Sequence, residues 1–148
     1  MEEKKFVSRA GEKLDFALNE FKINVKNKIV ADFGSSTGGF ADCLLKHGAA
    51  KVYSVDTAKN MLADKLKSDL RVIPIVGNAM HVKLKEKVDL ITADVAWTRQ
   101  ALIIPNAIAN LKTNGLIISL IKPQYEADRR WLTKGVVEEM FLDKIIEH

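Results

Sequence analysis

Ile29-Val30-Ala31-Asp32-Phe33-Gly34-Ser35-Ser36-Thr37-Gly38-Gly39-Phe40 decides the fold. A short apolar run ends at a carboxylate, breaks into glycines, and gives way to a second apolar stretch. That order reads as strand, tight loop and helix start. Phe40, Cys43 and Leu44 lie on the following helix, which stops near Gly48. Upstream, Leu14, Ala17, Leu18 and Phe21 fall at i, i+3, i+4 and i+7, a helical stripe with Ser8 as its expected N-cap. Downstream, Val52–Val55 forms a second strand ending at Asp56. A helix is expected through Met61, Leu62, Lys65 and Leu66, and a third strand over Val72–Val76. Pro74 cannot donate to a ladder, which suits a short or edge strand.

Val88–Ala93 makes a fourth strand ending at Asp94, and Leu102–Leu111 a helix in which Pro105 is tolerable only in the first turn or at a kink. Asn114-Gly115 is a turn, Leu116–Ile121 a fifth strand, and Val137, Met140, Phe141 and Ile145 a final helix. Apolar strands alternating with helices imply an α/β fold, a mostly parallel sheet covered on both faces. Ligands of such sheets bind beyond the carboxyl ends of the strands. The glycine loop, Asp56, Asn78, Asp94 and Lys122 all fall there.

The 148 residues suit a single domain, and 47% hydrophobic with 28% charged residues can bury a core. The net charge of +4 permits a polyanionic partner without demanding one. One cysteine, Cys43, leaves no intramolecular disulfide, and with His47, His81 and His148 it shows no metal-ligand spacing, so no metal site is expected. The charged start lacks a signal-peptide core, and no run has the roughly 18 apolar residues of a membrane span. A soluble, cytoplasmic protein without a membrane partner is the expectation.

The loop admits three readings. A phosphate-binding loop needs Gly-x4-Gly-Lys-Ser/Thr, and Phe40-Ala41 stands where lysine and hydroxyl belong. The dinucleotide pattern fails because Ser36 occupies its second glycine position. S-adenosylmethionine (SAM) carries no phosphate and needs only backbone space and nearby acids. The candidate cofactor residues are therefore Asp32, Gly34, Ser35, Ser36, Thr37, Gly38, Gly39, Phe40, Asp56, Asn78 and Asp94. Asp56 would accept bonds from ribose hydroxyls and Asn78 would bond the adenine edge. As plain structure, the same two residues are a helix N-cap and a turn residue.

Four stretches carry a resemblance. They are Val7-Ser8-Arg9-Ala10-Gly11-Glu12-Lys13-Leu14, Asp32 to Leu44, Val52-Tyr53-Ser54-Val55-Asp56, and Leu120-Ile121-Lys122-Pro123-Gln124-Tyr125-Glu126. They resemble the FtsJ-type family of ribose 2′-O-methyltransferases, and more closely its haemolysin-A-like (TlyA) branch. The resemblance implies a Rossmann-like, SAM-dependent methyltransferase fold with a Lys-Asp-Lys-Glu set acting on a ribose hydroxyl of RNA, most naturally ribosomal RNA. By motif the first Lys falls on Lys13, the Asp on Asp94 and the second Lys on Lys122. The Glu belongs to a later strand, and Glu126, Glu138 and Glu139 do not fit its motif. The branch also implies a small S4-type RNA-binding domain ahead of the methyltransferase domain. Against that pattern, residues 1–148 are read as one methyltransferase domain without S4, shortened at the C-terminal side.

In this reading Lys122 takes the hydroxyl proton, Lys13 supplies a nearby positive charge, and Asp94 holds the ammonium of Lys122. Other readings stay open. One is a SAM-binding module without catalysis. Another is a base amino-methyltransferase, suggested by Asp94-Val95-Ala96-Trp97, although both prolines of that motif are missing. A pore-forming toxin finds no spanning helix. Lys4, Lys5, Arg9, Arg129, Arg130, Trp131 and Lys134 are candidates for a basic rim that contacts RNA.

Overall fold

The computed structural model describes residues 3–133 and 136–137. Five strands form one parallel sheet: β1 (Ile29–Phe33), β2 (Lys51–Asp56), β3 (Val72–Val76), β4 (Val88–Ala93) and β5 (Leu111–Ser119), in the order β3-β2-β1-β4-β5. The strand order reverses beside β1, where a crevice opens between the loops that follow β1 and β4. Each neighbouring strand runs the same way because the intervening chain crosses over a face of the sheet. Along β1, β2 and β4 both faces are covered, and Val30, Ala31, Val52, Val55, Leu90 and Ile91 are buried.

Two apolar clusters form, one on each side. On one face α1 (Ala10–Glu20) and α2 (Gly39–Lys46) pack Leu14, Leu18 and Leu44 against Val30, Val52 and Leu90. On the other, Ile103 and Ala107 of α4 (Gln100–Asn110) pack with Leu84 against Phe33, Tyr53 and Ile91. The fold is thus the doubly covered α/β sheet expected from the sequence, and Pro74 does lie on an edge strand. Among the described residues no helix is long and apolar enough to cross a membrane.

Four backbone hydrogen bonds continue the sheet past its last rungs. Gly34 N–H donates to Val55 O, Gly77 N–H to Asp56 O, Asp94 N–H to Phe33 O and Leu120 N–H to Ala93 O, at 2.8–3.0 Å. The first residue after each of these strands is therefore pinned to the strand beside it.

Several expectations need correction. Ser8 does not cap α1. Arg9 is the N-cap, in helical conformation without a side-chain bond, because Ser8 lies over Gly39 and lines a cavity there. Phe21 ends the helix instead of extending its buried stripe, and is 68% exposed. The helix through Met61 shrinks to one turn, α3 (Asp64–Lys67). Extended Ala63 gives its N–H to Thr37 O at 3.0 Å, so the preceding residues cannot join the helix. Pro105 sits inside α4, where the carbonyl it leaves unbonded belongs to exposed Ala101 and can reach water.

Asn114-Gly115 is not a turn ahead of β5 but an interruption within it. Val88 and Leu90 of β4 pair with Leu111 and Leu116, so the residues between those two bulge out. α5 (Pro123–Glu126) and a 3-10 turn (Arg129–Trp131) follow, then an antiparallel pair, β6 (Leu132–Thr133) and β7 (Val136–Val137). Val137, expected on a helix, is in β7; Met140, Phe141 and Ile145 lie outside the described residues.

Candidate active site

The end of β1 faces a cavity of about 210 Å³ lined by Asp32, Gly34, Ser35, Ser36, Thr37, Gly39, Phe40 and Asp94, with Ser8 and Ala10 from the start of α1. Asp32 is its buried acid, 1% exposed. Thr92 Oγ1 donates to one of its oxygens at 3.0 Å, and the other, Oδ2, has no partner. Burial raises its pKa to about 7. The charges of Asp94 and Asp56 push the same way, while the Thr92 bond opposes them. An unsatisfied buried carboxylate oxygen at a cavity wall is the donor-seeking group that an ammonium would satisfy.

Two glycines make this geometry possible. Gly34 has φ 81°, and a Cβ there would lie 2.5 Å from Asp94 O, so only glycine lets the β1 and β4 loops touch. A Cβ on Gly39 would collide with Ser8 Oγ and approach Gly11 N to 3.0 Å, so it is what admits α1 against α2. Gly38, the N-cap of α2, lines neither this cavity nor the one described next.

A second cavity, of about 340 Å³, lies across Gly34, Ser36 and Asp94, which line both. Asp56, Asn78 and Trp97 are on its walls. Asp56 accepts from Ser36 N–H at 2.8 Å and Ala58 N–H at 3.0 Å, so part of its capacity holds the loop in shape. Each oxygen keeps a further lone pair for a ligand hydroxyl. Asn78 Oδ1 accepts from Met80 N–H at 2.9 Å, the turn role, which leaves its amide group as the ligand-facing donor. Of the candidate cofactor residues, all but Gly38 line one or other of these adjoining cavities: Asp32, Gly34, Ser35, Ser36, Thr37, Gly39, Phe40 and Asp94 the first, and Gly34, Ser36, Asp56, Asn78 and Asp94 the second.

At the cavity edge, Lys122 Nζ stands 2.6 Å from Asp94 Oδ1, with both side chains largely shielded. The two charges meet directly as an ion pair between the ends of β4 and β5. Lys122 Nζ also lies 5.6 Å from the ring centre of Tyr125. Lys13 is not drawn into this group. It is exposed on α1, one helical turn beyond Ala10, and lines neither cavity. Glu126 is structural, accepting Gln100 N–H at 2.8 Å and so satisfying the first turn of α4.

The sequence reading missed Thr92 and Tyr125. Thr92 alternates into the sheet interior, and only the pairing of β4 with β1 puts it opposite Asp32. Tyr125 follows Lys122 by three residues, and the turn of α5 is what brings it under the ammonium. The basic rim is partly spoken for, since Lys5 pairs with Asp15 at 2.5 Å and Arg130 with Asp128 at 2.8 Å. Lys134 and the Trp131 side chain lie outside the described residues.

Contrary to the spacing argument, Asp15, Cys43 and His47 do converge, their ligand atoms lying within 4.8 Å of one another. Asp15 already holds Lys5, and His47 at 2.7 Å, while burial pushes the Cys43 thiol up to about 12. A protonated thiol is a poor ligand, and these contacts form an ion-pair clamp between α1 and α2.

The family described as FtsJ-like methyltransferase matches residues 6–147. Hemolysin A of Brachyspira hyodysenteriae is 43% identical over 97% of this chain and 63% of its own length. The 16S/23S rRNA (cytidine-2′-O)-methyltransferase TlyA of Mycobacterium tuberculosis (strain H37Rv) is 34% identical over 91% of this chain and 52% of its own length. A solved structure from Streptococcus thermophilus, described as a hemolysin, superposes with a TM-score of 0.94 at 36% identity, covering 99% of this chain and 55% of that one. The chain thus spans between half and two thirds of these relatives.

Proposed function

Since the chain belongs to the FtsJ-like methyltransferase family, we propose that its paired cavities bind SAM and that it transfers the methyl group to a ribose 2′-hydroxyl of ribosomal RNA. The observation that carries this reading is the Lys122–Asp94 pair, 2.6 Å apart, beside a cavity whose buried Asp32 oxygen lacks a partner. Asp32 takes the ammonium of the amino-acid portion of SAM, Asp56 accepts from the nucleoside hydroxyls, and the amide of Asn78 meets the base edge. Bound SAM supplies an electrophilic methyl on a sulfonium that departs as a neutral thioether. A ribose hydroxyl is a weak nucleophile, so its proton must leave as the bond forms. Lys122 first gives up its own ammonium proton to solvent; its neutral Nζ then receives the hydroxyl proton, and Asp94 stabilises the ammonium that results. Lys13, exposed on α1 one turn from Ala10 at the cavity wall, is the candidate for a second positive charge facing the RNA.

Calorimetric titration with SAM tests the cofactor half. Wild type binds, and Asp56→Ala loses at least tenfold in affinity. No binding by a folded wild type would sink the reading. Lys122→Ala tests the chemistry: its single-turnover methyl transfer falls by about 10²-fold or more, and an unchanged rate would remove Lys122 from the mechanism. The relative named as a cytidine-2′-O-methyltransferase supports ribose as the acceptor. Nuclease digestion and mass spectrometry of the product distinguish a methyl on ribose from one on a base amine.

A further inference from the structure

Each of the five parallel strands begins at or beside a cation. Lys28 precedes β1, Lys51 opens β2, Arg71 precedes β3, Lys87 precedes β4, and Lys112 is the second residue of β5. The segments around these starts are 21–28, 47–51, 68–71, 83–89 and 110–113. They hold nine Lys or Arg against three Asp or Glu, while the other described residues hold 12 against 11. Nearly all of the positive excess is thus gathered at the end of the sheet opposite the two cavities. The segments that carry it are joined to one another. Ala50 N–H donates to Lys28 O at 2.8 Å, Glu86 meets Lys51 at 2.6 Å, and Asp89 accepts from Ile29 N–H and Lys112 Nζ, both at 2.9 Å. All three acids are taken, since Asp69 pairs with Arg71 at 2.7 Å. Lys22, Lys26, Lys28, Lys83, Lys85 and Lys87 are exposed and have no carboxylate partner among the described residues. Their mutual repulsion opposes folding, and these acids do not relieve it.

We propose that this end of the sheet is a second docking surface for RNA, one that grips phosphates of a chain continuing away from the methylated nucleotide. The inference rests on the RNA reading above and narrows the substrate to a folded RNA long enough to reach both ends of the domain. Strands β1 to β4 have five or six residues, which sets the two ends roughly 16–20 Å apart, too far for one nucleotide to touch both. The surface is concave as well as basic. A cavity of about 470 Å³, larger than either cavity at the carboxyl ends, is lined by Lys83, Lys85 and Lys87 with Asn106 and Asn110. Leu84 and Val88 are buried between and beside these lysines, which leaves the ammonium groups facing out. Lysines on flexible stems meet phosphate oxygens without reading sequence, so the surface positions the RNA and leaves the choice of nucleotide to the other end. An anionic membrane would attract the same charge, but surface-lying segments add a continuous apolar face to it. Here the exposed Phe21 and Leu70 stand singly on separate loops.

The test uses the whole chain in two triple variants, Lys28→Gln with Lys83→Gln and Lys85→Gln, and the same three positions changed to Arg. All three lysines are exposed and away from the cofactor cavities. The probes are a folded fragment of ribosomal RNA, SAM, and phosphatidylserine vesicles. Losing three phosphate contacts makes the fall of log affinity with log salt shallower by about 2–3, and weakens RNA binding on the order of 10²-fold at 0.1 M salt. In the Gln variant the KM for RNA rises with that loss, while SAM affinity and the maximal single-turnover rate of methyl transfer hold. The Arg variant keeps the wild-type affinity and salt slope. Unchanged RNA affinity and slope in the Gln variant overturn the docking surface and leave the RNA reading standing. A fall in SAM affinity or maximal rate alongside RNA affinity overturns it in favour of a folding effect, as does an Arg variant no better than the Gln one. Vesicle binding lost by the Gln variant with RNA affinity intact overturns it in favour of a membrane. If wild type binds SAM but not the RNA, the RNA reading falls and takes the surface with it.

Discussion

Asp32 shows how one side chain can be a liability to the empty protein and an asset to the loaded one. Its carboxyl is raised to about 7 by burial, with an unbonded oxygen. A carboxyl raised above its unfolded value near 3.8 contributes most at low pH and loses that contribution as pH climbs toward 7. Asp32→Asn should therefore stabilise the ligand-free chain more at pH 8 than at pH 5, by on the order of 2 kcal/mol. Urea unfolding at the two pH values checks this, and a pH-independent difference would refute it.

The same substitution should abolish SAM binding, and wild-type affinity should rise between about pH 5.5 and 7 as Asp32 ionises opposite the ligand ammonium. Asp32, Asp56, Asn78 and Asp94 stood out in the sequence because each lies within two residues of a strand's carboxyl end. Thr92 did not, because two strands separate it from Asp32 along the chain and only the parallel register joins them.

Elements were legible where burial follows a regular period, and illegible where a single tertiary contact redirects the chain. Strands β1 to β4 fall where apolar runs predict them. The helix through Met61 fails because Thr37 O captures Ala63 N–H, a contact between segments that no local pattern reveals. The polar joints between elements should matter as much as the apolar ones. Asn110, 5% exposed at the end of α4, accepts Leu84 N–H at 2.9 Å and donates to Val82 O at 3.0 Å and Asn106 O at 2.8 Å. Asn110→Leu leaves Leu84 N–H unsatisfied, while Val82 O keeps its bond from Asn106 Nδ2 at 2.9 Å, and should cost about 1–3 kcal/mol in urea unfolding. Gly39→Ala tests the α1–α2 contact: the added methyl meets Ser8 and Gly11, and a loss of about 1–3 kcal/mol is expected from the same measurement.

For the whole molecule, the sheet order places the β1 and β4 loops side by side, and the site needs both. Ligand binding should then stabilise the domain as a unit. SAM at 100 times its dissociation constant should add about 2.7 kcal/mol to unfolding. A thermal-shift series over SAM concentration reads this out, and Asp56→Ala should flatten it. A shift in the presence of Asp56→Ala equal to that of wild type would place the cofactor elsewhere.

The hydrogen bonds that run past the strand ends have a consequence for how such a site can change. Gly34, Gly77, Asp94 and Leu120 are fastened to their neighbours through peptide groups alone. The spacing between the methyl donor and the acceptor is thereby written in the main chain, and the side chains hang from a frame indifferent to their identity. Gly34, which admits no side chain, and Asp94, which faces Lys122, are fixed, but the residues beyond Gly77 and Leu120 can be exchanged without altering the distance between the β1 and β4 loops on which the proposed transfer depends.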